Sequence, residues 1–279
     1  MKSIIYKLSI ILLLVFSFFY TNKIIDILKE KDPIMKKIKS TEEKYNIKYK
    51  NAIITGNNII SGKNGKTINY KESYNKMKKY GTYNETLTVL KEVTPEISIN
   101  NNYDKYIIKG NSENKNIALI FIINKDTDPT KILSILNNKK VLGTFFIDGT
   151  YLENNIDMIK SMKNHELELL SYNNEYNFSY FKTSLYYLEN LSQNKCKYCF
   201  TEYDNDKLLN LCSKNKLHTI KPTLYLKNNI YSSIKKNISN SIIISFEINN
   251  YVERELSTTI DYIKSKGYNL VTLDTLISE

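Results

Sequence analysis

Ile117-Ala118-Leu119-Ile120-Phe121-Ile122-Ile123 is seven apolar residues without a break. Bounded by Asn116 and Asn124, the run reads as a strand buried on both faces, as parallel strands are when helices cover them. Working outward from it, the pattern repeats. Apolar runs at 141–147, 166–172, 197–200, 241–246 and 269–273 alternate with helix-compatible stretches at 128–137, 152–162, 180–191, 206–212 and 255–266. Residues 217–220 and 224–226 compete for one more strand. Strand, helix, strand at this spacing predicts an α/β fold of about seven parallel strands with crossover helices, closed as a barrel or left open as a sheet.

In barrels of this kind the active site is built at the C-terminal ends of the strands. Here those ends read Ile122-Ile123, Leu170, Phe200 and Phe246. The scaffold is of an enzyme's type, and its working end lacks side chains that bind ions or move protons.

A 42% hydrophobic and 12% aromatic content suffices for a real core. The net charge of +11 favours anionic partners, whether phospholipid surface or acidic wall polymer. It reads as spread along the chain, with Lys36-Lys37, Lys139-Lys140 and Lys235-Lys236 as isolated pairs. No basic stripe or nucleic-acid-binding module is present, so a nucleic-acid partner is not expected.

Lys2 and Lys7 precede an apolar run from Leu8 to Tyr20. Counted from Ser3 it reaches about the length that spans a bilayer, with Lys7 able to snorkel. No small-residue cleavage pattern follows Phe16, which predicts an uncleaved signal anchor over residues 1–22. With Lys2 and Lys7 held inside, the bulk of the chain lies outside the cytoplasm of a single-pass membrane protein. Lys23, Lys29 and Lys31 after the span weigh against that orientation.

Residues 23–105 read as a stalk and a small α+β module. Thr21 to Lys50 is charged and helix-compatible, broken at Asp32-Pro33. Gly56-Asn57-Asn58 supplies a turn within a β-rich stretch. Lys71 to Tyr80 has helical spacing and stops at Gly81. Residues 106–279 form the main domain.

The main domain resembles the polysaccharide deacetylase family, or NodB homology domain, over about Asn116 to Ile277. Ala118-Leu119-Ile120-Phe121-Ile122-Ile123-Asn124 stands where the family has A-L-T-F-D-D-G. Gly143-Thr144-Phe145-Phe146 resembles its A-T-F-F strand, and His165-Glu166-Leu167 its G-H-E-I segment. Lys266-Gly267-Tyr268-Asn269-Leu270-Val271-Thr272-Leu273 resembles its closing K-G-Y-x-F-V-T-L. The resemblance implies a distorted (β/α) barrel and metal-assisted hydrolysis of N-acetyl sugars, with zinc-type chemistry polarising the acetyl carbonyl.

Carried over residue by residue, the family's D-D pair falls on Ile122 and Ile123, and its H-x3-H pair on Leu170 and Asn174. The arginine segment falls near Phe200 with Tyr203 retained, and the acid histidine on Phe246, followed by Glu247. Apolar side chains at these positions bind no divalent metal, which implies a degenerate member without catalytic residues and without a cofactor. Tyr172, Tyr203 and Glu247 remain as candidate substrate contacts. An alternative is a divergent, active hydrolase with a carboxylate site rebuilt from Asp126, Asp128 and Glu175.

Three cysteines allow three states. Cys196, Cys199, Cys212 and His218 could hold zinc tetrahedrally, Cys196 and Cys199 could pair as a tight disulfide, or the thiols could stay unlinked. Taken together, the sequence predicts an outward-facing, membrane-anchored, deacetylase-like protein of the cell envelope, with glycan or an envelope protein as partner. A further alternative is an assembly module acting through residues 32–105.

Overall fold

Residues 2–111, 113, 115–173, 175 and 178–279 are described by the computed structural model of the protein. The first part of the chain runs α1 (Lys2–Lys31), α2 (Pro33–Ser40), α3 (Glu42–Tyr45), β1 (Ile53–Thr55), β2 (Asn58–Ile60), β3 (Gly65–Ile68), α4 (Tyr70–Tyr80), β4 (Leu90–Val93) and β5 (Tyr106–Lys109). Alternation then begins with β6 (Asn116–Ile123), α5 (Thr130–Lys139), β7 (Thr144–Ile147), α6 (Gly149–Asn154), α7 (Ile156–Ser161), β8 (Glu166–Leu169) and α8 (Phe178–Ser192). It continues through β9 (Tyr198–Phe200), α9 (Asp206–Lys214), β10 (His218–Ile220), β11 (Leu224–Leu226), α10 (Ile230–Asn237), β12 (Ile243–Glu247), α11 (Asn250–Ser265), β13 (Asn269–Val271) and α12 (Leu273–Ile277).

These elements divide into two units: residues 1–49 with 64–93, and residues 50–63 with 94–279. The division does not follow the expected boundary at 105. The reason is hydrogen bonding. The β1–β2 hairpin, turned at Gly56 with φ +59°, pairs through β2 with β5 in parallel, so residues 50–63 belong to the larger unit.

In the smaller unit α1 extends past the expected end at residue 22 to Lys31. Its stretch from Ile10 to Lys31 is long and apolar enough to cross a membrane, and none of that stretch is buried. Asp32 then caps α2, accepting from the Ile34 N–H at 2.9 Å. Tyr74 and Lys78 of α4 donate to the same carboxylate at 2.9 and 2.7 Å. Ile34, Met35 and Ile38 on one face of α2 pack against Ile68, Tyr74 and Met77. α4 ends where Gly81 takes φ +75°.

Among the described residues of the larger unit, every pairing between these strands except β1–β2 is parallel. One sheet runs β11-β12-β6-β7-β8, with β13 against the start of β6; the other runs β1-β2-β5-β10-β9. Both contribute to one interior: Ala118, Ile120, Ile122, Phe146 and Ile243 meet Ile59, Ile107, Phe200 and Ile220. The odd residues of β6, Ile117 to Ile123, face the other way, into a layer formed with the helices. Period-two alternation thus buries both faces of the strand, as its unbroken apolar run requires. Glu168 of β8 joins the two sheets, its Oε2 accepting from the backbone N–H groups of Lys197 and Tyr198 at 2.9 and 3.1 Å.

Two local expectations need correction. The segments 217–220 and 224–226 do not compete: β10 pairs with β5 and β9 while β11 pairs with β12, so the short link between them carries the chain from one sheet to the other. The helix expected over 152–162 is two helices, interrupted at Asn155, whose φ of −134° leaves the helical range.

Candidate functional site

At the C-terminal ends of the strands lies a cleft of about 390 Å³. Its floor is Ile122, Leu170 and Phe200, and its wall is Tyr225. Strand alternation decides this: Ile122 is an inward residue of β6, Phe200 ends β9 on its inward face, and Leu170 continues β8. All three are buried, and Phe200 leans against Phe146 with ring centroids 5.3 Å apart. Asn124, Ser171, Glu202, Tyr203 and Asp204 form a polar rim.

The rim is organised by ion pairs. Glu247 accepts from the Tyr225 hydroxyl at 3.0 Å and from Lys227 Nζ at 2.7 Å. Lys227 holds the Glu247 carboxyl below its ordinary range, and burial pushes the Tyr225 hydroxyl up. Lys227 also lies over the Tyr225 ring at 5.2 Å. Asp204 pairs with Lys221 at 2.6 Å.

The sequence-derived site residues separate into those the fold gathers and those it does not. Ile122, Leu170, Phe200 and Tyr203 line the cleft. Ile123 faces the helical layer. Phe246 needs correction as a mouth position: it stacks on Phe121 at 5.4 Å in that same outer layer. The neighbour, Glu247, stands in register with Ile122, and its carboxylate reaches Tyr225. Tyr172 stacks on Tyr180 at 4.9 Å and donates to Glu153 at 3.2 Å, outside the cleft lining. Asn174 lies outside the described residues. Tyr225, Asn124 and Ser171 were not singled out from sequence; only the parallel β11–β12 pairing brings Tyr225 beside the mouth.

The cysteine expectations are corrected as well. Cys199 and Cys212 form a disulfide, and Cys196 is free and buried. Cys199 points away from the interior shared by the two sheets, toward the buried face of α9, where Cys212 lies with Leu208. Neither the Cys196–Cys199 pairing nor the four-donor zinc set is assembled, because two of its sulfurs are bonded to each other. His218 stacks on Tyr103 at 4.2 Å at the start of β10, and burial lowers its pKa to about 4. His165 accepts from the Gly143 N–H at 3.1 Å. Asp128 caps the turn into α5 by accepting from the Thr130 N–H at 3.0 Å, and Asp126 is exposed. Among the described residues no three His, Cys, Asp or Glu side chains come together to hold a metal ion. Ile122, Leu170 and Phe200 have no lone pairs to donate, so the cleft floor does not fit the zinc that the deacetylase resemblance implies.

The fold is that of the family 4 carbohydrate esterases, the class that includes the polysaccharide deacetylases. No protein-family model matches the sequence. Wild-type BA3943 of Bacillus anthracis, described as a CE4 family pseudoenzyme, is similar with a TM-score of 0.66 at 20% identity, over 88% of this chain and 95% of that one. A mutant of BA3943 described as having restored enzymatic activity gives 0.66 and 20% over 88% of this chain and 98% of that one. A family 4 carbohydrate esterase of Bacillus anthracis gives 0.53 and 22%, over 61% of this chain and 85% of that one. The match to BA3943 thus takes in more than residues 106–279. In sequence the chain is 31% identical over 147 residues to the uncharacterized protein YlxY of Bacillus subtilis (strain 168), covering 51% of this chain. It spans about half the length of that curated relative, 46%.

Proposed function

We propose that this is a membrane-anchored protein of the cell envelope that holds glycan in its cleft without hydrolysing it, the bulk of the chain lying outside the cytoplasm. One observation carries the reading. Positions that would have to bind a metal are Ile122 and Leu170, buried together on an apolar floor. Fold alone does not transmit an activity, and this floor has no group to polarise an acetyl carbonyl or activate water. An apolar floor with a tyrosine wall and a polar rim suits a sugar ring, whose C–H faces pack on aromatics while its hydroxyls take hydrogen bonds.

The disulfide supports the outward orientation, since such bonds persist in oxidising compartments. Lysines that follow the span oppose it. Trapping free thiols in intact cells decides between them: Cys199 and Cys212 should resist alkylation until reduced, and ready alkylation of both would contradict an exported domain.

The functional test is calorimetric titration of the purified full chain with N-acetylated oligosaccharides, with acetate measured in parallel. Binding without acetate release, weakened at least tenfold by Tyr225→Ala, is the expected result. Sustained acetate release would establish an active hydrolase instead, and absence of any glycan binding would leave a scaffold for a protein partner.

A further inference from the structure

The charge is not spread evenly, contrary to the impression the sequence gives. The smaller unit, residues 1–49 with 64–93, holds 16 lysines against eight Asp and Glu, a net of +8. The larger unit, with more than twice the residues, has 24 Lys and Arg against 21 acids, a net of +3. The unit that concentrates the charge is also the one that contains the apolar helix.

Its geometry sets the depth of those lysines. At 1.5 Å per residue, about 20 residues cross the hydrocarbon layer, so a span that starts at Lys7 ends near Ile27. At that level the last turns of α1 and the start of α4 line one groove of about 670 Å³, with Ile25, Lys29, Tyr70, Lys71 and Tyr74 among its walls. Tyrosine and lysine beside the end of a span are the residues that sit at the headgroup layer. The groove's own carboxylates are occupied: Asp26 pairs with Lys29 at 3.8 Å, and Glu30 with Lys39. Lys36, Lys37, Lys71 and Lys79 are exposed and have no ion-pair partner among the described residues.

We propose that the smaller unit lies on the membrane surface and binds anionic phospholipid headgroups through Lys71 and the unpaired lysines of α2 and α4. The proposal rests on the membrane-anchored reading above. Phospholipid is favoured over a phosphate polymer of the wall because the lysines are on the unit that contains the span and include Lys71 at its end. Each lysine near an anionic surface gains from the surface potential, and the gain is lost beyond a Debye length.

The test places the full chain in nanodiscs of phosphatidylcholine alone, or with phosphatidylglycerol, and reads lysine acylation residue by residue by mass spectrometry. The chain should enter both discs. Lys29, Lys36, Lys37, Lys71 and Lys79 should then label about fivefold more slowly in the anionic discs, with Lys207 and Lys214 of the larger unit unchanged. High salt should remove the difference. Substituting Lys36, Lys37, Lys71 and Lys79 by Gln should abolish protection at Lys29, and substituting them by Arg should keep it. Equal labelling in both discs overturns the docking while leaving the anchor intact. Failure to enter either disc overturns the anchor and the docking with it. Equal protection by soluble poly(glycerol phosphate) in neutral discs would assign the surface to wall polymer and overturn the lipid.

Discussion

The two ends of the larger unit's strands carry opposite inventories. At the C-terminal ends, where a parallel barrel places its chemistry, the floor is Ile122, Leu170 and Phe200. At or near the other end lie His165, Tyr198 and His218, all buried, and Glu166, half-buried, with Glu168 two residues further along β8. Both of the chain's histidines are in the second group. The carboxyl and phenol groups at that end are satisfied by the scaffold itself, whereas His218 Nδ1 is buried with no hydrogen-bond partner among the described residues. Glu168 takes two backbone N–H groups, Glu166 takes the Thr144 hydroxyl and the Asp274 N–H, and Tyr198 donates to Asp274 at 2.6 Å. The difference teaches that polarity is structural at one end of the strands and absent from the cleft floor at the other, where it is confined to the rim.

The sharpest way to break that comparison is to put a carboxylate back at the apolar end. Ile122→Asp sets an unpaired acid in a buried floor and should cost about 3 kcal/mol or more in urea-unfolding free energy. A neutral effect would mean that the mouth is already wet and ion-tolerant. At the opposite end, Glu168→Ala leaves the Lys197 and Tyr198 N–H groups without their acceptor and should cost about 2–4 kcal/mol, while Glu168→Gln keeps an acceptor oxygen and should cost less.

Titration sharpens the comparison further. Burial lowers the His218 pKa from 6.5 to about 4, so the folded state keeps the ring neutral while the unfolded chain binds a proton. Its contribution, on the order of 3 kcal/mol, is present above pH 6.5 and lost as pH falls toward 4. Burial raises the Glu168 pKa well above its ordinary value. There the folded state holds the proton, so stability falls as pH rises above 4.5 through the folded value. Thermal melts across pH should show His218→Gln flattening the acid side and Glu168→Gln flattening the neutral side. Unchanged slopes in both would place these groups in water. Smallest of all, Tyr225→Phe removes one hydrogen bond to Glu247 at a half-exposed rim, and should cost about 1 kcal/mol or less while weakening glycan binding.

Much of this was legible in the residues. The unbroken run at 117–123 marked a strand covered on both faces, and the alternation after it marked the parallel topology. Ile122, Leu170 and Phe200 were located at the mouth by spacing along the chain. Phe246 was not placed correctly because a one-residue shift along a strand exchanges its two faces, and only the pairing Glu247 with Ile122 reveals which residue looks inward. The disulfide partners were hidden for a related reason: Cys199 reaches Cys212 through the packing of α9 on β9, and spacing does not specify connectivity. The segments 217–220 and 224–226 are too short for local pattern to reveal that they belong to different sheets.

The central claim is that the cleft cannot hold a catalytic ion, and zinc titration of the purified, chelator-treated full chain tests it most directly. Isothermal calorimetry with elemental analysis should find no stoichiometric zinc, and no change on Glu247→Gln. One tightly held zinc per chain, released by substitution at Glu247 or Asp204, would contradict the account.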